Sequence, residues 1–213
     1  MKNIKHWIVK NPDLAFAVLL AICVYSYFAL TNEFFATHRT GYAIMERFAV
    51  LGLVGLALTL CIIAGEIDLS IGSNAALAAV IVVRFTDSLG AVTALLIAIL
   101  ISTLVGAIQG YFIAYLRVRA IVLTVGTLML LRGVALFAAQ EKTVMLTDFR
   151  VPDFISTKMF LYFSPASLLV IAMFIVVGLF MTFTRYGREI YAIGGARKEA
   201  IAAGIDLKRP MII

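Results

Sequence analysis

Charge is the scarcest commodity in this sequence. Asp, Glu, Lys and Arg supply only 14% of its 213 residues, whereas 63% are hydrophobic and the mean hydropathy is +1.04. Soluble domains carry about 25% charged residues, so the deficit excludes an ordinary soluble globule and points to an integral membrane protein. Histidine is nearly absent: His6 and His38 lie far apart and outside the apolar runs, and no metal-ligand pattern is predicted. The two cysteines, Cys23 and Cys61, both fall inside apolar runs and read as small buried hydrophobes, with no disulfide framework. No Gly-Lys pair occurs, so the G-x-x-x-x-G-K-[ST] phosphate loop is missing and this chain does not hold a nucleotide in that way. A net charge of +6 does not imply a nucleic-acid partner here, because the basic residues follow a membrane topology.

What is present is a series of apolar runs. Two of them, joined by a polar stretch into 49–85, would span about 55 Å as one helix at 1.5 Å per residue, well beyond a ~30 Å hydrocarbon core. The chain must therefore turn or break at the polar centre, Gly65-Glu-Ile-Asp-Leu-Ser-Ile-Gly-Ser-Asn74. Gly65 and Gly72 permit the backbone of a break, and Ser70 and Ser73 are placed to cap a restarting helix. Glu66 and Asp68 put two carboxylates inside the most apolar third of the chain, where ionisable groups face a cavity or a partner. Two readings stand for 65–74: a translocation-pathway element that includes Asn74, or a short solvated turn between spans.

Taken in order, the spans are expected near 14–30, 49–64, 69–85, 91–115, 120–139 and 166–183. Lys2, Lys5 and Lys10 precede the first span, and Trp7 suits the headgroup level. Between 31 and 48, Phe34, Phe35, Tyr42, Met45 and Phe48 oppose Arg39, Glu46 and Arg47. That spacing suits an amphipathic interfacial helix, or else an aromatic-anchored connecting loop. Residues 84–90 read as a short hydrophilic turn. On the fourth span Ala94, Ala98, Ser102, Gly106, Gly110 and Ala114 recur every four residues, a small-residue row that lets another helix approach closely. The fifth span carries Arg132, which either faces a pathway, anchors helices or snorkels to an interface. Residues 140–163 form a polar connection, and Pro165 suits the first turn of the sixth span.

With six spans and the amino end inside, the inner side receives Lys2, Lys5, Lys10, Arg117, Arg119, Arg185, Arg188, Arg197, Lys198, Lys208 and Arg209. The outer side receives Arg39, Arg47, Arg84, Lys142, Arg150 and Lys158. This excess of basic residues on one side follows the positive-inside rule. The fold class is thus all-α, a polytopic transmembrane helical bundle of about six spans with a cytoplasmic N-terminus. The segment 185–209 is charged and cytoplasmic by the same count. Gly194-Gly195 permits a tight turn, 197–203 is a good short helix former, and Gly204 is placed to end it. A short helix between two glycine turns suits docking of a partner.

Two stretches carry a family resemblance. GEIDLSIGS resembles the G-G-I-D-L-S-V-G signature of the sugar-specific permease subunits of bacterial ATP-binding-cassette importers of the ribose and xylose type, with Glu66 in place of a glycine. GREIYAIGGARKEAIAAGI resembles the G-R-x-x-Y-A-x-G-G-N-x-x-A-A-x-x-x-G-I segment of the same permeases, matching at Gly187, Arg188, Tyr191, Ala192, Gly194, Gly195, Ala200, Gly204 and Ile205. Ala196 and Ile201 depart from that pattern. The resemblance implies that 185–209, including Arg197, Lys198 and Glu199, docks onto a separate ATPase subunit that binds the ATP, this chain needing no cofactor of its own. It implies further partners: a second permease subunit, identical or not, and a periplasmic or lipoprotein substrate-binding protein, all at the bacterial cytoplasmic membrane. Permeases of this type continue with more spans, so Pro210 to Ile213 reads as the start of a further span and the chain as truncated.

The function expected is therefore that of a permease subunit carrying a monosaccharide or related polyol, a transporter and not an enzyme. An energy-independent channel is the alternative, although it would have no need of 185–209. An intramembrane enzyme using Glu66 and Asp68 is the third reading, and no nucleophile–base pair or metal cluster accompanies them.

Overall fold

The computed structural model describes residues 11–142, 145, 149–208, 210 and 212. Lys2, Lys5, Trp7, Lys10, Arg209, Met211 and Ile213 lie outside the described residues, so their expected roles stay as sequence readings. Among the described residues there are nine α-helices: α1 Pro12–Thr31, α2 His38–Ile63, α3 Ile71–Leu89, α4 Ala91–Ala114, α5 Ala120–Ala138, α6 Arg150–Ser156, α7 Pro165–Phe183, α8 Arg185–Gly195 and α9 Arg197–Ala202. Helices α1, α2, α4, α5 and α7 are long and apolar enough to cross a membrane. At 19 residues α3 matches α5 and α7 in length, but Ser73, Asn74, Arg84 and Asp87 make it less apolar. The chain exposes large side chains along these helices, Phe16, Leu96, Val122 and Leu169 among them, as a lipid-facing surface requires.

The termini of the helices follow local chemistry. Thr37 caps α2 by accepting from the Thr40 N–H, and Ser164 and Ser167 form a reciprocal capping box at α7 with Pro165 in the first turn. Residues 38–48 are the first turns of α2, continuous with the apolar run, so neither the separate interfacial helix nor the connecting loop forms there. Only residues 32–37 connect α1 to α2. Likewise α3 continues helical to Leu89, and the expected turn at 84–90 reduces to Gly90, whose φ of +81° separates α3 from α4.

The helices sort into two groups. Leu77 and Ile81 of α3, Ala98 of α4, and Leu131 and Ala135 of α5 form one buried apolar cluster. The second group sets α2 against α7 and α8, with Phe48 stacked on Phe174. Helix α1 buries none of its residues. The linker 64–70 connects the two groups. At the opposite end of the bundle, His38 stacks on Tyr162, Lys158 lies over the Tyr42 ring, and the Tyr42 hydroxyl donates to the Ser156 carbonyl. The connections 64–70, 115–119 and 184–208 therefore share one end, and 32–37 and 156–164 share the other.

Candidate functional site

The α2–α3 break is built by its glycine. Gly65 has φ +78°, and its N–H bonds to the Ile62 carbonyl while the Glu66 N–H reaches back to Cys61, each at 3.0 Å. That pair of bonds is the Schellman ending of a helix, which requires a left-handed residue at this point. Gly72 has no such need: it sits in the first turn of α3 with ordinary dihedrals. Ser70 occupies the N-cap position of α3, yet its side chain makes no cap bond, contrary to its expected role. Instead the Asp68 carboxylate accepts from both the N–H and the hydroxyl of Ser70, each at 2.7 Å. The Ser70 hydroxyl in turn accepts from Gln109 Nε2 at 2.9 Å, and Thr124 Oγ1 donates to the Ile67 carbonyl at 3.4 Å. Ser70, Gln109 and Thr124 are all buried. The linker is thereby stitched to α4 through Gln109 and to α5 through Thr124. Ser73 is also buried, and Asn74 donates to the Ser102 carbonyl at 3.5 Å.

The segment after α7 folds back onto this linker. Thr184 caps α8 through the Gly187 N–H, and Arg188 donates to the Phe183 carbonyl at 3.2 Å, capping the end of α7. A Cβ on Gly187 would stand 2.3 Å from the Met181 carbonyl oxygen, so the α7–α8 elbow demands glycine. Arg185 Nε donates to Glu189 Oε1 at 2.7 Å, and that bond raises the guanidinium pKa. Ile190 and Ile193 are the buried face of α8, while Arg188 and Tyr191 are exposed. The expected tight turn at Gly194-Gly195 is not there. Both residues end helix α8, and the chain bends at Ala196, with φ −154° and ψ 82°. On α9, Lys198 and Glu199 are exposed and Ala200 is buried. Gly204, with φ +82°, closes α9 in a second Schellman ending, its N–H on Ile201 and the Ile205 N–H on Ala200.

Linker and segment meet backbone to backbone. A Cβ on Gly194 would lie 1.7 Å from the Ile63 carbonyl oxygen, and one on Gly65 would lie 3.3 Å from the Gly194 Cα. Beside this contact Arg197 Nη1 pairs with Glu66 Oε1 at 2.8 Å, the side chains being 46% and 20% exposed. The two stretches singled out in the sequence thus form one structural unit. Glu66 lies on the walls of two clefts. One, of about 420 Å³, runs between the helix groups and is lined by Leu60, Asp68, Thr103, Gly106, Gln109, Gly110 and Thr124. The other, of about 950 Å³, opens beside α9 and takes in Arg117, Arg119, Arg197, Asp206 and Lys208.

Two expectations are revised here. The small-residue row of α4 splits: Ala94 and Ala98 are fully packed, whereas a Cβ on Gly106 meets open space and Gly106 lines the smaller cleft. The row therefore does not seat one helix along its whole length. Arg132 is exposed on α5 and lines neither cleft, so it is not a wall of the groove within this chain. Gln109 was not singled out in the sequence, although a lone glutamine inside the longest apolar run was signal enough.

A family model described as branched-chain amino acid transport system / permease component matches residues 42–213. The inner membrane ABC transporter permease protein YjfF of Escherichia coli (strain K12) is 27% identical over 210 residues, covering 94% of this chain and 62% of its own length. The L-arabinose transport system permease protein AraH of the same strain is 31% identical over 205 residues, with 94% and 60% covered. Its D-allose transport system permease protein AlsC is 28% identical over 200 residues, with 92% and 60% covered. The chain thus spans about three fifths of the length of these relatives. No solved structure matches it.

Proposed function

The chain belongs to the branched-chain amino acid transport system / permease component family, and from that premise we propose that it is the permease subunit of an ATP-driven importer for a monosaccharide or related polyol. The relatives support a sugar over an amino acid, since two of them are named for arabinose and allose. The observation that carries the importer reading is the seating of α8–α9 on the linker at Gly65–Gly194. An exposed charged helix resting on the wall of a transmembrane groove has a use if something outside the bilayer pushes on it. An energy-independent channel has none.

In this reading the end bearing Arg117, Arg119, Arg185, Arg188, Arg197, Lys198 and Lys208 is cytoplasmic, as the positive-inside rule directs. Tyr191, Lys198 and Glu199 then face a separate ATPase subunit, which binds and hydrolyses the ATP. The smaller cleft is part of the substrate route. Its Asp68 and Thr103 offer groups that can hydrogen-bond sugar hydroxyls on otherwise apolar walls, the composition of small-molecule sites. A second permease subunit completes the route, and an external binding protein delivers the sugar. Transport follows alternating access: the ATPase cycle displaces α8–α9, and the helix groups tilt about the 64–70 linker.

Affinity purification of the permease from membranes tests this. An ATPase should co-purify, with hydrolysis stimulated several-fold by the sugar-loaded binding protein. Purification without an ATPase, or hydrolysis indifferent to the binding protein, contradicts the importer reading.

A further inference from the structure

We infer that Glu66 is a positioning residue for transport: its ion pair with Arg197 fastens the α8–α9 segment to the linker, so that displacement of the segment is delivered to Gln109 and Thr124 on the groove wall. The inference rests on the importer reading and adds to it the part that conveys the motion.

The contact at Gly65–Gly194 is close but carries no side chain, so by itself it resists compression and little else. A pull or a rotation of α9 about that point would separate the backbones. The ion pair lies next to it and supplies what is lacking, a directional bond at 2.8 Å between the first residue of α9 and the residue after the helix-ending glycine. Beyond Glu66 the linker is short and tied at Ile67, Asp68 and Ser70: Ile67 to Thr124, Asp68 to Ser70, Ser70 to Gln109. These bonds join the residues that follow Glu66 to the buried polar groups of α4 and α5. Partly exposed ion pairs hold little folding free energy, so removing this one should leave the fold standing and change only the transmission.

The test replaces the ion pair by a removable covalent one. In a background carrying Cys23→Ala and Cys61→Ala, Glu66→Cys and Arg197→Cys are introduced together into the importer, reconstituted with its ATPase and binding protein. Before cross-linking, uptake of a labelled monosaccharide should fall at least tenfold. A short cleavable bifunctional thiol reagent should bridge the two positions and restore uptake to within about threefold of the parent, and reduction should abolish it again. Glu66→Asp should retain more uptake than Glu66→Gln. Failure of the bridge to form shows that the two residues are not neighbours and overturns the inference. So does uptake that is unchanged throughout, or that stays lost when the bridge has formed. Absence of ATP-driven uptake in the parent overturns the importer reading itself, and the inference falls with it.

Discussion

Of the two adjacent glycines that end α8, only one should be irreplaceable. Gly194→Ala adds a single methyl group, and the structure places it 1.7 Å from the Ile63 carbonyl oxygen and 2.8 Å from the carbonyl carbon. Ordinary contact begins near 3.4 Å, so the shortfall at the oxygen is itself 1.7 Å. Both obstacles are backbone atoms at the end of a helix already fixed by its Schellman bonds, and no side chain can rotate out of the way. Relief requires α8 to lift from α2, separating Gly194 from Gly65 as well. Overpacking of this kind costs about 1–3 kcal/mol, and a displaced helix places the effect at the upper end. Gly195→Ala is the control: nothing lies within 4 Å of its added Cβ, and exchanging glycine for alanine in a helix is neutral or stabilising by under about 1 kcal/mol. The assay is the thermal unfolding midpoint of each variant in the same detergent, read alongside resistance of the 184–208 segment to protease. Gly194→Ala should unfold several degrees below the parent and expose that segment, with Gly195→Ala indistinguishable from it. Equal tolerance at the two positions would refute the close contact.

Three further outcomes are expected. With single cysteines placed in a background lacking Cys23 and Cys61, an impermeant thiol reagent on intact cells should label Met159→Cys and spare Lys198→Cys, and the reverse pattern would invert the topology. Ala98→Leu, at a site 2% exposed against α3, should destabilise the fold by about 1–3 kcal/mol, while Gly106→Leu should fold normally and reduce uptake by narrowing the groove; loss of folding in both would return Gly106 to a packing role. Gln109→Leu removes the buried donor to Ser70 and should cost about 1–3 kcal/mol and loosen the linker, read as faster hydrogen exchange across 66–70; unchanged exchange would separate α4 from the linker.

Much of the fold was legible because a bilayer imposes one-dimensional rules. Apolar length marked α1, α4, α5, α7 and the later part of α2, and the break at Gly65 and the end of α9 at Gly204 followed from glycine's access to positive φ. The errors arose where a local cue had two outcomes. A serine before a helix suggests a cap, yet Ser70 spends its hydroxyl on Asp68 and Gln109, partners that the linker's fold brings near. Adjacent glycines suggest a turn, yet Gly194 serves close approach to another helix and the bend falls at Ala196. Arg132 was the most conspicuous charge in an apolar run and proved to be exposed, whereas the quieter Gln109 is buried at the linker. The pairing of Glu66 with Arg197 spans 131 positions and leaves no periodicity in the sequence. Such contacts emerge only from the packing of one helix group on the other.

The proposed function of the permease that contains this chain is movement of a sugar across a membrane at the expense of ATP hydrolysed by a partner. It is tested most directly in proteoliposomes containing the permease, its ATPase and its binding protein, loaded with ATP at the cytoplasmic face and offered labelled monosaccharides outside. At least one of these sugars should accumulate above its external concentration, and the accumulation should vanish when ATP is replaced by a non-hydrolysable analogue. Equilibration without accumulation, at the same rate with and without ATP, would contradict it.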